Sequence, residues 1–471
     1  MQIFGEKMKL LNKYFFISLF MAILNGLNNT NNQYKYIIFL QIGIVFLLAI
    51  KNIKKAFIIH IIFLLTSTAF FADLRLISEK VIINYSKLKF IGNISYSYFP
   101  LFFFIIYSFC FGRKNRIKNL KNKELRNFVI GLIFFNLYPI IVGGIGLIFN
   151  PEYNLGSFLS KSIYSINVVF YSFVIISILE KEDYDFLQEI IVNLLVAGVL
   201  SAVILKGFGY GGYYGGINKL STLDIIEFAS ILILSDYAIY FIVGIIYLIN
   251  FKFIASGKGI IILFISLYRL FDKFSFFKKY KITLIPFFLV FFINLDNIFK
   301  FQKNEIIYYK FQQFLGIFKF YDLNLVPHSP KVRILEMINI GYQYLKFPLL
   351  ILVGNGFGGY FKDWSGKFNY MNLKEGDFSL NEINKGIFYG GHDTLSNVFL
   401  FNGIFGIMFV LYWILQFWKK KSRHGINLIP IFWLGLIYYF NIHIAIFGLI
   451  SIYTIFIEKI NVDKNYKRGK K

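Results

Sequence analysis

The chain is short of cysteine, proline and charge. One cysteine in 471 residues cannot close an internal disulfide, so a bridged secreted scaffold is excluded. Only 8 prolines, with no Gly-X-Y period, exclude a collagen-like or proline-rich disordered chain. Asp, Glu, Lys and Arg together make up 16% of the residues, against ~25% in a soluble domain. So few charges cannot cover a water-facing surface when 57% of the residues are hydrophobic. Familiar catalytic signatures are missing as well: there is no Walker A motif, no H-E-x-x-H, no C-x-x-C and no G-x-S-x-G. The 5 histidines are too scattered to make a zinc site by spacing.

What is abundant is apolar and aromatic. The chain carries 60 Phe and 33 Tyr, and its mean hydropathy is +0.60. This composition predicts an all-α, polytopic membrane protein. Cys110 lies in an apolar run and is expected to be a small buried hydrophobe. The net charge of +25 does not indicate nucleic acid, because the basic residues fall in short runs between long apolar stretches. That is the pattern of cytoplasmic loops, where Lys and Arg resist translocation and meet anionic headgroups.

A transmembrane helix needs ~20 mostly apolar residues to cross ~30 Å of hydrocarbon. Stretches that meet or approach this lie near 14–30, 36–50, 56–72, 95–112, 127–149, 162–179 and 186–206. A second group lies near 224–237, 238–254, 258–271, 282–298, 394–418, 427–440 and 441–457. Allowing for the short ones, about twelve to fourteen spans are expected. The first apolar segment follows Lys7, Lys9 and Lys13 without a small-residue cleavage site, so it reads as an anchor and not a cleaved leader. Basic runs occur at Lys51 to Lys55, Arg113 to Arg126, Arg269 to Lys281, Lys419 to Arg423 and Lys464 to Lys471. An inside N-terminus places all of them on the cytoplasmic side if 224–254 is crossed twice. The acidic inside loop Glu180 to Asp185 and the outside residues Arg75, Lys80, Lys87 and Lys89 fit this less well.

The resulting division has about eleven spans within 1–299, a large outside loop at 300–391, further spans within 392–458, and a basic tail at 459–471. Long loops in compact proteins are usually functional. The large one holds Asp363, Glu375, Asp377 and Glu382 and ends at His392. A smaller outside loop, Gly207 to Leu223, is rich in Gly and Tyr. Gly354-Asn355-Gly356-Phe357-Gly358-Gly359 formally matches the dinucleotide pattern, but it lacks the βαβ context that gives the pattern meaning. It reads either as a turn or as backbone amides able to approach an anion. His60, His424 and His443 are expected to be structural or solvated, and His328, between Pro327 and Ser329-Pro330, is expected to be solvent-exposed.

Three ordered segments carry more information: ASGKGIIILF at 255–264, RILEMINIGYQYLKFPLLILVGNGFGGYF beginning at Arg333, and GGHDTLSNVFLFNGIFGIMFVLYWIL beginning at Gly390. In their order the chain resembles the O-antigen polymerase and O-antigen ligase superfamily of integral membrane glycosyltransferases. The resemblance covers 250–418. It rests on a Ser-Arg-Gly-like helix start, an Arg-initiated amphipathic segment ending in Pro-Leu-x-Gly-x-Gly, and a His-containing loop edge leading into Gly-Ile-x-Gly. Lys258 departs from the pattern, since the family usually has arginine there and lysine lacks the bidentate fork.

The resemblance implies a GT-C-like bundle in a bacterial inner membrane with its active site facing outward. It implies undecaprenyl-diphosphate-linked oligosaccharides as donor and acceptor, with a chain-length regulator and a flippase as possible partners. No cofactor and no metal are expected. A departing diphosphate needs cations where its charge develops, a role that falls to Arg333 and Lys258 with support from Gly354 and Gly356. The acceptor hydroxyl must lose a proton, and His392 is the candidate base, with Asp393 a possible support. The plainer alternatives are interfacial snorkelling for Lys258 and Arg333 and a loop-edge hydrogen bond for His392. Two rival functions remain at this point. One is ligation of a finished glycan to lipid A core or a protein. The other is a flippase or transporter, for which Glu227 and Asp236 would be the intramembrane charges.

Overall fold

The computed structural model describes residues 13–30, 36–66, 89–91, 94–180, 326–368, 377–392, 394–417 and 448–456, with isolated positions elsewhere. The expected spans from 224 to 298, nearly all of 186–206 and 427–440, the Gly207 to Leu223 loop, Glu227, Asp236, Lys258, Glu375, Asp393, His424, His443 and the basic tail lie outside the described residues.

The described chain is mainly helical. In order it forms α1 (Lys13–Thr30), α2 (Tyr36–Lys51), α3 (Ile53–Thr66), β1 (Lys89–Ile91), β2 (Ile94–Ser95), α4 (Tyr98–Cys110), α5 (Arg113–Leu120), α6 (Lys123–Phe149) and α7 (Leu155–Ile178). After the undescribed stretch come α8 (His328–Lys346), α9 (Leu349–Val353), β3 (Phe361–Lys362), α10 (Leu380–Lys385), β4 (Ile387–Phe388) and α11 (Thr394–Phe417). Among the described residues, α6, α7 and α11 are long and apolar enough to cross a membrane.

α6 and α7 are joined by a short turn and run antiparallel. Asn122 caps α6 by accepting from the amides of Glu124 (2.9 Å) and Leu125 (3.2 Å). Asn154 caps α7 in the same way, accepting from the Ser157 amide at 2.8 Å. That cap starts α7 seven residues before the stretch that hydropathy alone marks, because its first two turns are polar. At the other end of α7, Asn119 from the basic helix α5 donates to the carbonyls of Ile176 (3.0 Å) and Leu179 (2.9 Å), which have no partner within the helix. The basic run Arg113 to Arg126 therefore clusters at one end of the α6/α7 pair. At ~1.5 Å per residue, the 27 residues of α6 carry the chain about 40 Å to the opposite end.

Cys110 corrects an expectation, for it is exposed. It shares its side of α4 with the exposed residues Phe103 and Ile106, at helical spacing. In a membrane protein an apolar run can face lipid as readily as the interior. His60 is buried between α3 and α7, with its Nε2 3.0 Å from the Tyr171 hydroxyl, which fits the structural role expected of it.

Pro139 interrupts α6 and supplies no amide to the carbonyl of Phe135. Asn402 of α11 fills the gap, its Nδ2 donating to Phe135 O at 3.0 Å. α11 is itself broken at Gly403 (φ 60°, ψ −152°). There the irregular segment after α9 crosses both long helices. Asn355 and Gly356 donate to Leu400 O (2.7 Å) and Phe401 O (3.0 Å), while Phe357 donates to Pro139 O (2.8 Å). The crossing is too close for side chains. A Cβ on Gly143 would lie 2.1 Å from Phe357 O, and one on Gly356 would lie 2.1 Å from the Gly143 nitrogen.

This geometry predicts opposite outcomes for two helix-interior glycines. Among the described residues, nothing lies within 4 Å of where a Cβ on Gly341 of α8 would stand, so Gly341→Ala should stabilise by ~0.5–1 kcal/mol through helix propensity. Gly143→Ala should destabilise despite the same propensity gain, by roughly the 1–3 kcal/mol of an overpacked core. Thermal unfolding of both variants in detergent, followed by tryptophan fluorescence, checks the sign.

Candidate active site

α8 is the element that organises the site. Pro330 sits in its first turn, where a missing amide leaves no helical bond unmade. Val332, Leu335, Glu336, Asn339, Ile340, Gln343 and Tyr344 form its buried face, with the spacing of an amphipathic helix. Of these, Gln343 and Asn339 seat the 360–365 segment and Glu336 seats His392. Gln343 donates to Tyr360 O at 2.9 Å and accepts from the Trp364 indole at 3.2 Å. Asn339 donates to Asp363 Oδ1 at 3.2 Å and accepts from the Ser365 amide at 2.8 Å. Glu336, fully buried, receives the backbone amide of His392 on Oε2 at 2.9 Å and holds the His392 ring through a short contact between Oε1 and Nδ1.

His392 ends the segment Tyr389-Gly390-Gly391-His392 that leads into α11. Asn397, in the first turn of that helix, clamps the segment from both sides. Its Oδ1 accepts from the Gly391 amide at 2.9 Å and its Nδ2 donates to Gly391 O at 2.8 Å. Gly391 cannot be replaced without displacement, because a Cβ there would stand 2.2 Å from Ser396 Oγ and 3.0 Å from Glu336 Oε2. The Phe378 ring meets the imidazole edge-on, 4.9 Å between centroids.

Burial alone would lower the His392 pKa. The hydrogen bond and negative charge of Glu336 outweigh it, and the backbone of Asp377 accepts a further bond, so the value is raised above that of an ordinary histidine. The positive charge of Arg333 is near enough to act in the opposite sense. Arg333 lies on the exposed side of α8, one turn before Glu336, with its guanidinium 3.2 Å from Ser329 Oγ. The structure thus brings Arg333 and His392 together through α8.

Two expectations need correction. Gly354 and Gly356 do not offer free amides to an anion. Their N–H groups donate to Leu350 O (2.8 Å) and Phe401 O (3.0 Å), and their positive φ values of 70° and 66° serve the helix crossing. Close backbone packing, not ligand binding, explains these glycines. His328 is not merely solvated, since its Nε2 pairs with Asp377 Oδ2 at 2.7 Å and ties the start of α8 to the loop that covers His392.

Glu336 is the functional candidate that sequence reasoning missed. The available signal was its place one turn after Arg333 on a helix whose buried face also carries Asn339 and Gln343. The described loop carboxylates are engaged elsewhere: Asp363 receives the Phe368 amide at 2.9 Å, Asp377 holds His328, and Glu382 forms a capping box with Ser379. Among the described residues, no three of His, Cys, Asp and Glu gather as metal ligands.

A half-buried imidazole with one nitrogen fixed by a buried carboxylate, beside an exposed guanidinium, can take a proton from a hydroxyl while the cation steadies an anion. No protein-family model, curated protein or solved structure matches this chain.

Proposed function

We propose that the protein is a polytopic glycosyltransferase of about twelve to fourteen spans in a bacterial inner membrane, polymerising lipid-linked oligosaccharide repeat units on the outer face. The observation that carries this reading is the Glu336–His392 pair with Arg333 one helical turn away. The placement of the pair supports the outward orientation. It lies beyond the end of the α6/α7 hairpin opposite the basic run, and basic runs mark the cytoplasmic side.

In this reading the acceptor hydroxyl replaces the Asp377 carbonyl at the Nε2 side of His392. Its oxygen attacks the anomeric carbon of the donor, and its proton passes to Nε2. The bond from that carbon to the diphosphate oxygen breaks, and the electron pair leaves with the diphosphate, whose charge Arg333 meets bidentately. Glu336 is a positioning residue that holds the Nδ1 proton and stabilises the imidazolium as it forms. Lys258 is the second cation proposed from the sequence. Undecaprenyl diphosphate as the lipid carrier, and polymerisation over ligation, come from the resemblance and are part of the proposal.

Polymer length on gels from a deletion strain carrying variants at equal expression tests the site. His392→Ala should lower activity by roughly 10²–10⁴-fold. Arg333→Ala should forfeit stabilisation comparable to an oxyanion donor, ~2.7–4 kcal/mol, and Arg333→Lys should stay severely impaired. Normal chains in both alanine variants would remove the site.

The raised His392 pKa fixes the sign of the pH response. The neutral base is gained only as pH rises, so activity in isolated membranes should climb with pH through a midpoint above ~6.5. Glu336→Gln keeps a side-chain acceptor but removes the charge, so it should move that acidic limb to lower pH while reducing the maximal rate. An unmoved limb would mean that Glu336 only braces the fold. The same pairing stabilises the folded state fully below ~6.5 and fades as pH rises through the raised value.

Orientation has its own check. An insertion at Asn369, between the exposed Lys367 and Tyr370, should activate a reporter that works only outside the membrane. Activity of an inside-only reporter at that position would place the site on the wrong face for a lipid-linked glycan.

A further inference from the structure

Next to the His392 segment lies a polar cleft of about 290 Å³ that plays no part in the proton transfer described above. Asn154 and Ser157 from the start of α7, Asn381, Glu382 and Lys385 from α10, and Tyr389 line it. Its walls are fixed from both sides. Lys161 of α7 donates to Ser157 Oγ at 2.7 Å and to Tyr389 O at 2.8 Å. Glu382 accepts the Tyr389 amide at 3.0 Å. With the cap bond of Asn154 made through Oδ1, its Nδ2 is left with no bond to another described residue, and the side chains of Asn381 and Lys385 also make none.

The lining suits a polyol better than an anion or an apolar group. It offers amide donors and acceptors, one carboxylate balanced by one ammonium, and an aromatic ring with an apolar body and a polar tip. The volume is at the small end of the ~300–1,000 Å³ of ligand sites. Tyr389 is three residues from His392, so the two Cα atoms are at most ~11 Å apart. We infer that this cleft binds a sugar ring of the acceptor glycan, with the ring against Tyr389 and its hydroxyls bonded to Asn154, Asn381 and Lys385. The inference rests on the glycosyltransferase reading for the word acceptor, but the sugar chemistry of the cleft stands on its lining.

The test is saturation-transfer NMR on the full chain in detergent-free nanodiscs. The probes are glucose, galactose, mannose, rhamnose, N-acetylglucosamine and N-acetylgalactosamine. At least one should receive saturation from the wild-type protein. Tyr389→Ala should weaken that binding about tenfold by removing the ring contact. Lys385→Ala, on an exposed position, should weaken it as well, and Lys367→Ala, exposed and outside the cleft lining, should leave it unchanged. Failure of every probe to bind, or binding unaffected by both Tyr389→Ala and Lys385→Ala, overturns the cleft whatever His392→Ala does to polymer. Binding lost in these variants while His392→Ala still makes long chains would keep the sugar site and remove the transferase reading.

Discussion

Inside a bilayer, every backbone amide and carbonyl must find a partner within the protein, because lipid supplies none. Regular helices satisfy this by themselves; a helix that contains proline or a break does not. In this chain the bonds left unmade by Pro139 in α6 and by the break at Gly403 in α11 are supplied locally. The Asn402 amide reaches Phe135 O, and the irregular 355–357 segment supplies donors to Leu400, Phe401 and Pro139. The broken helix and the irregular segment are complementary faults. Each is stable because the other supplies the missing bonds, and the glycines at 143, 354, 356 and 403 let the backbones approach closely enough to do so.

That crossing determines what lies on either side of it. Upstream, it holds the C-terminal end of α8 through α9, and Tyr344 adds hydrogen bonds to Phe399 O and Leu400 O at 2.6 and 3.0 Å. Downstream, it fixes the start of α11, whose first turn bears Ser396 and Asn397. α8 and the α11 N-terminus are therefore held in one register. Glu336 on the first and His392 ahead of the second can meet only in that register. A shift of a single residue along α8 would turn the carboxylate by about 100°, away from the imidazole.

The helical class, the early apolar helices and the long α11 are legible from hydropathy, which counts apolar runs and little else. The polar opening of α7 is not, because Asn154 and Lys161 look like loop residues until a cap and a carbonyl partner are seen. Cys110 misleads for the same reason in reverse, since lipid and protein interior demand the same side chains. His392 and Arg333 stand out through motif order and loop position. Glu336 is hidden because a lone carboxylate in an amphipathic segment usually marks the solvent face, and only its partner reveals that it is buried. The glycines at 354 and 356 suggest an anion cradle because sequence cannot distinguish an amide left free from one bonded to a neighbouring helix.

The position of Glu336 also explains why α8 carries both signs of charge on adjacent turns. A carboxylate with no exposed surface is strongly unfavourable unless paired and hydrogen-bonded. His392 supplies that compensation twice, through its ring and through its own backbone amide. Arg333, one turn earlier, looks outward and opposes the rise in the His392 pKa. It therefore offsets part of the rise that Glu336 causes. An anion that engaged Arg333 would weaken this opposition and draw the proton more firmly onto His392. Binding of a negatively charged group at the guanidinium and proton uptake at the imidazole are then coupled through one helix, with the sign that the proposed transfer would need.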